Sequence, residues 1–257
     1  MTNNSQLGVI LYSLRDYCKT ESDLDHTLAL VREIGYQNIQ VSGIGPISAE
    51  KVRKLADKHS LKIIASHENM SDLRANFDGV INKLKTWDCD FTALGFPNFF
   101  DWKAESVPAF IAELGSWGEK MFSQGIRFGY HNHQHEFEKF NGRTLLSQIY
   151  EDLSPLTFFA ELDVHWVTRG GGDPCAWIYK VNRRMPVIHF KDFAIVKGEP
   201  RFCEIGEGQL NWPAIICACN DTKVRYMMVE QDVTFGDKDI FESIKISYNN
   251  LLAFGLH

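Results

Sequence analysis

The sequence predicts an α/β protein of the (β/α)8 class, a TIM barrel formed as a single domain over residues 1–257. Three observations carry that expectation. Eight short runs rich in β-branched and aromatic residues recur along the chain, amphipathic stretches separate them, and no linker or low-complexity segment interrupts the alternation. The spacing from strand to strand, roughly 25 to 38 residues, suits an eightfold barrel, which commonly reaches about 250 residues as one domain.

The expected strands are Val9–Ser13, Asn38–Ser42, Lys62–Ser66, Phe91–Phe96, Ile126–His131, Thr157–Leu162, Val187–Phe190 and Tyr226–Glu230. Between the first two, Leu24, Leu28, Val31 and Ile34 recur at helical spacing behind a Ser22–Asp25 capping box, and Gly35 stops the run. Ser71 opens a helix carrying Leu73, Phe77, Val80, Ile81 and Leu84. Asp173-Pro174 and Asn211-Trp-Pro213 open two more. A doubly wound open sheet is the competing architecture, but no strand runs into a glycine-rich dinucleotide turn. Gly170-Gly-Gly172 lacks that spacing and reads as a turn into the Asp173 cap.

With 44% apolar and 23% charged residues, the composition is that of a globular chain able to bury a large core. A net charge of −6 argues against a broad cationic surface, and so against nucleic acid and for a small-molecule partner. Met1–Gln6 holds no positive leader region and Val9–Ser13 is too short to span a membrane, so the expectation is a cytoplasmic protein without a membrane segment. Six cysteines without a Cys-x-x-Cys pair read as reduced thiols. A homo-oligomer is left open.

The chemistry is concentrated at strand ends. In Gly129-Tyr-His-Asn-His133 and Glu161-Leu-Asp-Val-His165 alternation puts His131 with His133, and Glu161 with Asp163, on one face. His189 and Lys191 repeat the pattern in strand seven, and Glu230 closes strand eight. His131, Asp163, His189 and Glu230 together form a mixed nitrogen and oxygen set suited to Mn, Zn, Co or Fe, with His133 as the alternative strand-five ligand. Glu161 is either a buried paired carboxylate or an acid/base group. Lys191 reads either as a salt bridge at the barrel mouth or, preferred because it lies one inward step beyond His189, as a group that steadies a substrate hydroxyl or developing oxyanion. His67 ends strand three and is expected to touch substrate, as are Arg201 and Glu207 on the loop after strand seven.

With these residues laid out, the chain resembles the sugar phosphate isomerase/epimerase family, the xylose-isomerase-like TIM barrels related to AP endonuclease family 2 and to inosose dehydratases. The segments that carry the resemblance run nearly end to end: Gly8–Asp16, Ile34-Gly-Tyr36, Gly129–His133 with Glu136-Phe137, Glu161-Leu-Asp163 with Trp166, His189–Asp192, Gly206-Glu-Gly208 with Trp212, and Glu230-Gln-Asp232. It implies a divalent metal on His131 (or His133), Asp163, His189 and Glu230. It also implies a carbohydrate substrate, with Glu136, His165 and Trp166 among its contacts. Two departures stand out: histidines replace a strand-five glutamate that many isomerases use as ligand and base, and Gln40 stands where relatives often carry Glu. The expected activity is a metal-dependent isomerase or epimerase that abstracts a proton next to the carbonyl of a keto-sugar or related polyol, using Glu230, Glu161 or His133 as base. A dehydratase or lyase of a keto-polyol or keto-glycoside is the alternative. An AP endonuclease-like repair enzyme and a non-catalytic sugar-binding barrel rank below both.

Overall fold

The computed structural model of the chain describes residues 5–234 and 236–257. Eight parallel strands form one sheet: β1 (Leu7–Ile10), β2 (Asn38–Val41), β3 (Lys62–Asn69), β4 (Phe91–Phe96), β5 (Arg127–His131), β6 (Phe158–Glu161), β7 (Val187–Phe190) and β8 (Tyr226–Val229). Their spatial order is β6-β5-β4-β3-β2-β1-β8-β7, so each strand neighbours its sequence neighbour and β1 sits beside β8. The seam between β6 and β7 is drawn together by the parallel bridge Asp163–His189 and by His189 N–H donating to the Leu162 carbonyl at 2.8 Å. The result is a nearly closed TIM barrel, and its seam fixes two of the expected metal ligands side by side.

Helices cover the outside: α1 (Glu21–Ile34), α2 (Ala49–Lys58), α3 (Met70–Ala75), α4 (Phe77–Thr86), α5 (Val107–Phe122), α6 (Leu145–Asp152), α7 (Val164–Arg169), α8 (Pro174–Lys180), α9 (Trp212–Asp221) and α10 (Ile240–Ala253). The predicted caps at Asp173 and Asn211 form as read, each side chain accepting from the N–H three residues on. Three local expectations are corrected. The first strand starts at Leu7, and Leu11–Tyr17 winds into 3-10 turns. The capping box of α1 is Thr20 with Asp23, two residues earlier than expected, because Thr20 is the last extended residue. The helix expected from Ser71 is two helices, because Asn76 leaves helical geometry and caps α4.

Two apolar clusters result. The larger lies between strands and helices. The smaller lies inside the barrel floor, where Ile64, Ala65, Phe91, Ala93, Val187 and Met228 pack across the axis. Gly8 makes that floor possible: a Cβ there would stand 2.6 Å from the Met228 methyl carbon and 2.9 Å from the Asn38 carbonyl oxygen. Above the floor the interior turns polar, with Gln40, His131, Glu161, His189 and Glu230 all buried. No described helix is long and apolar enough to cross a membrane.

Candidate active site and metal centre

At the carboxyl-terminal mouth, His131 ends β5, Asp163 follows β6 by two residues, His189 lies in β7 and Glu230 follows β8 directly. Each of the four offers a donor atom within 4.8 Å of the others'. Asp163 divides its oxygens. Oδ1 caps α7 by accepting from Trp166 N–H at 3.0 Å, while Oδ2 is left without a hydrogen bond. His131 Nδ1 is likewise buried and unpartnered. Buried polar atoms in folded proteins are nearly always hydrogen-bonded, so two potential ligand atoms left without hydrogen bonds in one cluster, with only longer contacts to Lys191 and Glu161, mark a place made for a ligand. The mixed imidazole and carboxylate set fits a divalent first-row ion.

A second group overlaps the first. His67, His131, Glu161 and His189 also bring donor atoms within 4.8 Å. Glu161 is its hub: Oε2 pairs with His67 Nε2 at 2.5 Å and lies 3.6 Å from His131 Nδ1, and Oε1 lies 3.5 Å from His189 Nε2. Burial would raise its carboxyl, but the His67 and His189 imidazoles reverse this and hold it at about 2. His189 bonds on both sides, Nδ1 with Glu230 Oε2 at 2.6 Å and Nε2 with Gln40 Oε1 at 2.9 Å. Burial alone would lower its pKa; Glu161 and Glu230 instead raise it to about 10. In the metal-free molecule an imidazolium thus stands between two carboxylates.

Lys191 is buried, its Nζ 2.9 Å from Asp232 Oδ2, 3.0 Å from Glu230 Oε1 and 3.4 Å from Asp163 Oδ2. Burial disfavours the ammonium, yet Glu230, Asp163 and Asp232 raise its pKa overall. Burial in turn pushes Asp163 up to about 6 and, with Glu230 beside it, Asp232 up to about 7. The ammonium is therefore a buried counter-ion among three carboxylates, the salt-bridge reading of this residue in place of the preferred oxyanion contact.

The mouth opens on a cavity of about 690 Å3, bordered by Tyr12, Ser42, His67, Phe96, Asn98, His131, His133, Glu230 and Asp232 among others. His133 packs its ring against Phe96 and Trp166 at centroid distances of 5.2 and 5.6 Å. Burial, reinforced by the nearby Lys191 ammonium, lowers its pKa to about 3, which keeps it neutral. Several expected substrate contacts lie elsewhere. His165 is enclosed by Trp166, Phe193 and Phe202. Glu207 is exposed and meets Asn250. Arg201 is exposed on the hairpin of Asp192–Val196 and Glu199–Cys203; because Phe202 faces His165, strand alternation turns Arg201 to the opposite face.

Glu136 is buried below the mouth, not in it. Its Oε1 accepts from Tyr130 O–H at 2.8 Å and its Oε2 from His133 N–H at 2.7 Å, which fixes the backbone that carries His133. An apolar side chain of similar length accepts from neither donor. Glu136→Met is expected to lose about 1–3 kcal/mol of stability, and urea denaturation measures it. An unchanged midpoint would show that the two donors find other partners.

Sequence reasoning gave no role to Gln40, Ser42, Asp192 or Asp232. Gln40 and Asp232 carried a signal: one shares the inward parity of β2, the other follows Glu230 by two residues. Asp192 carried none, because its partners come from a loop up to 20 residues away.

No protein-family model and no curated protein matches the sequence. Solved structures do match. A sugar phosphate isomerase/epimerase from Parabacteroides distasonis superposes with a TM-score of 0.81 at 21% identity, covering 98% of this chain and 95% of that one. The fold is that of the xylose-isomerase-like TIM barrels. Two further solved structures agree: an L-ribulose 3-epimerase matches at TM-score 0.71 and 14% identity, covering 97% and 94% of the two chains. A probable 3-DHS dehydratase from Bacillus anthracis matches at TM-score 0.68 and 14% identity, covering 96% and 98%. These identities establish the fold and leave the reaction to the residues at the mouth.

Proposed function

We propose that the protein is a divalent-metal-dependent carbohydrate isomerase or epimerase acting next to a carbonyl, with His131, Asp163, His189 and Glu230 as ligands. The observation that carries this reading is the clustering of these four side chains, in which the buried His131 Nδ1 and Asp163 Oδ2 make no hydrogen bond, beside an open cavity that His131 and Glu230 line. An ion bound there supplies Lewis-acid polarisation of a substrate carbonyl. The remaining chemistry belongs to the chain. His133, on the cavity wall with its buried Nδ1 free of hydrogen bonds, is assigned to accept the proton from the carbon beside the carbonyl. Asp232 borders the same cavity, and its carboxyl, pushed up to about 7 by burial and by Glu230 beside it, holds the proton for return. Glu161 touches no cavity surface; it orients His67 and holds charge opposite His131 and His189, as carboxylates behind ligand imidazoles do. Phe96 and Tyr12 give the sugar ring apolar walls.

Deuterium exchange from solvent tests the reading. The metal-loaded protein is expected to exchange the hydrogen beside the carbonyl of a keto-sugar, to stop in chelator, and to recover with manganese, cobalt or zinc. His133→Gln should lower the exchange rate about 10²–10⁴-fold at unchanged metal content. Full turnover in chelator, or exchange undiminished in the His133 variant, would reject the assignment.

A further inference from the structure

We propose that the substrate of this site is an unphosphorylated carbohydrate rather than a sugar phosphate. The inference rests on the isomerase reading above and narrows it.

Barrels of this class commonly hold a substrate phosphate with backbone N–H groups of the loops after strands seven and eight. The loop after the β7 hairpin has the right shape for that, with a cluster of inward amides. Its anion, however, comes from the chain itself. The buried carboxylate of Asp192 accepts from Phe193 N–H at 2.8 Å and Leu210 N–H at 3.3 Å through Oδ1. Through Oδ2 it accepts from Gly206 N–H at 3.0 Å, Gly208 N–H at 3.2 Å and the Trp212 indole N–H at 2.6 Å. The cradle is closed tightly: a Cβ on Gly208 would stand 2.2 Å from Asp192 Oδ1 and 2.4 Å from the Phe193 carbonyl oxygen. A resident carboxylate with five donors leaves neither amide nor space for a phosphoryl group.

The cations around the mouth are engaged as well. Lys191 faces Glu230, Asp163 and Asp232. Arg15 donates to the Tyr12 and Asp232 carbonyls at 2.9 and 3.0 Å. Lys83 pairs with Glu68 at 2.6 Å, and Lys238 with Glu204 at 3.0 Å. Arg201 points to the outer face of its hairpin. Among the described residues, the cavity wall contains no Lys or Arg; it presents Ser42, Asn69 and Asn98, the rings of Tyr12 and Phe96, and the carboxylates of Glu230 and Asp232. That lining suits hydroxyl groups and sugar faces. A phosphate dianion would find no lysine or arginine in that wall to pair with.

Two measurements on the full chain test the proposal. In the first, the metal-loaded protein is offered matched ketoses and their phosphates, fructose against fructose 6-phosphate and ribulose against ribulose 5-phosphate, and solvent deuterium exchange is followed. The expected kcat/KM is about a hundredfold or more in favour of the unphosphorylated member; preference for the phosphates overturns the proposal. In the second, inorganic phosphate is titrated calorimetrically into the metal-free protein, with sodium chloride of equal ionic strength as control. No saturable binding is expected, and saturable binding overturns the proposal. Asp192→Ala opens the amide cradle, so this variant should gain phosphate binding and be stabilised by it. If the variant folds and ignores phosphate, the cradle is not an anion site and the argument fails. Should neither class of ketose exchange, the isomerase reading falls, while the phosphate titration of the unaltered chain still decides the present one.

Discussion

Lys191→Met is expected to lose about 3–5 kcal/mol of stability in the metal-free state, the cost of breaking a buried charge pair from one side. Methionine keeps most of the stem volume, so the loss reports on charge. Without the ammonium, Glu230, Asp163 and Asp232 lose the cation they share, and Glu230 keeps its pair with His189 at 2.6 Å. The pH dependence follows from the sign of the shifts. Asp163 and Asp232 already titrate at about 6 and about 7, above the ordinary carboxylate value, because of burial. A carboxyl raised in the folded state binds its proton more tightly there than in the unfolded chain. It therefore favours folding at low pH, and that contribution is lost as pH rises through the folded value. Removing Lys191 pushes both higher still, so the deficit of the variant should grow from pH 5, where the ionised Glu230 alone loses its ammonium, to pH 8, where Asp163 and Asp232 lose it too. A divalent ion, by neutralising the same oxygens, should restore much of it. Urea denaturation at the two pH values, with and without manganese, measures all four corners. Equal stability of variant and natural protein at pH 8 without metal would show that Lys191 is not the counter-ion of this cluster.

Asp163→Asn should cost the protein its metal while sparing its fold. The amide oxygen can still accept from Trp166 N–H and cap α7, as Asp163 Oδ1 does at 3.0 Å. What the substitution removes is the charge on Oδ2, the oxygen that is buried and without a hydrogen bond. Metal affinity should fall by more than about 100-fold, exceeding the 10–100-fold typical of residues that only orient ligands, and exchange activity should fall with it. Glu161→Gln belongs to that weaker class. Thermal unfolding of the metal-free Asp163→Asn protein should stay close to that of the natural chain, and elemental analysis after dialysis should find it empty. Full metal content in the variant would remove Asp163 from the ligand set.

The sequence by itself determined the barrel and where along it chemistry would gather. Parallel strands buried on both sides read as near-continuous apolar runs, and β7 (Val-Ile-His-Phe) and β8 (Tyr-Met-Met-Val) stand out as such without any knowledge of their neighbours, whereas β2 (Asn-Ile-Gln-Val) is buried with polar residues at alternate positions. Inward alternation of polar residues at strand ends, with period two, then marks His131, Asp163 and His189, and Glu230 beyond the apolar end of β8. Local signals that depend on a few adjacent residues, such as the caps at Asp173 and Asn211, were legible for the same reason. Tertiary structure decided the rest, because it depends on atoms far apart in the chain. Lys191 and Glu161 each have two sequence readings, and only enclosure by Asp163, Glu230 and Asp232 in one case and by His67 and His189 in the other chooses between them. Arg201 and Glu207 share a loop that reaches over the mouth, but the pleat of the hairpin turns the arginine outward and Asn250 holds the glutamate away. Asp192 looks in sequence like the tail of a ligand strand. Folding brings five N–H groups onto it, and a carboxylate so satisfied occupies the loop that would otherwise be free to receive an anion.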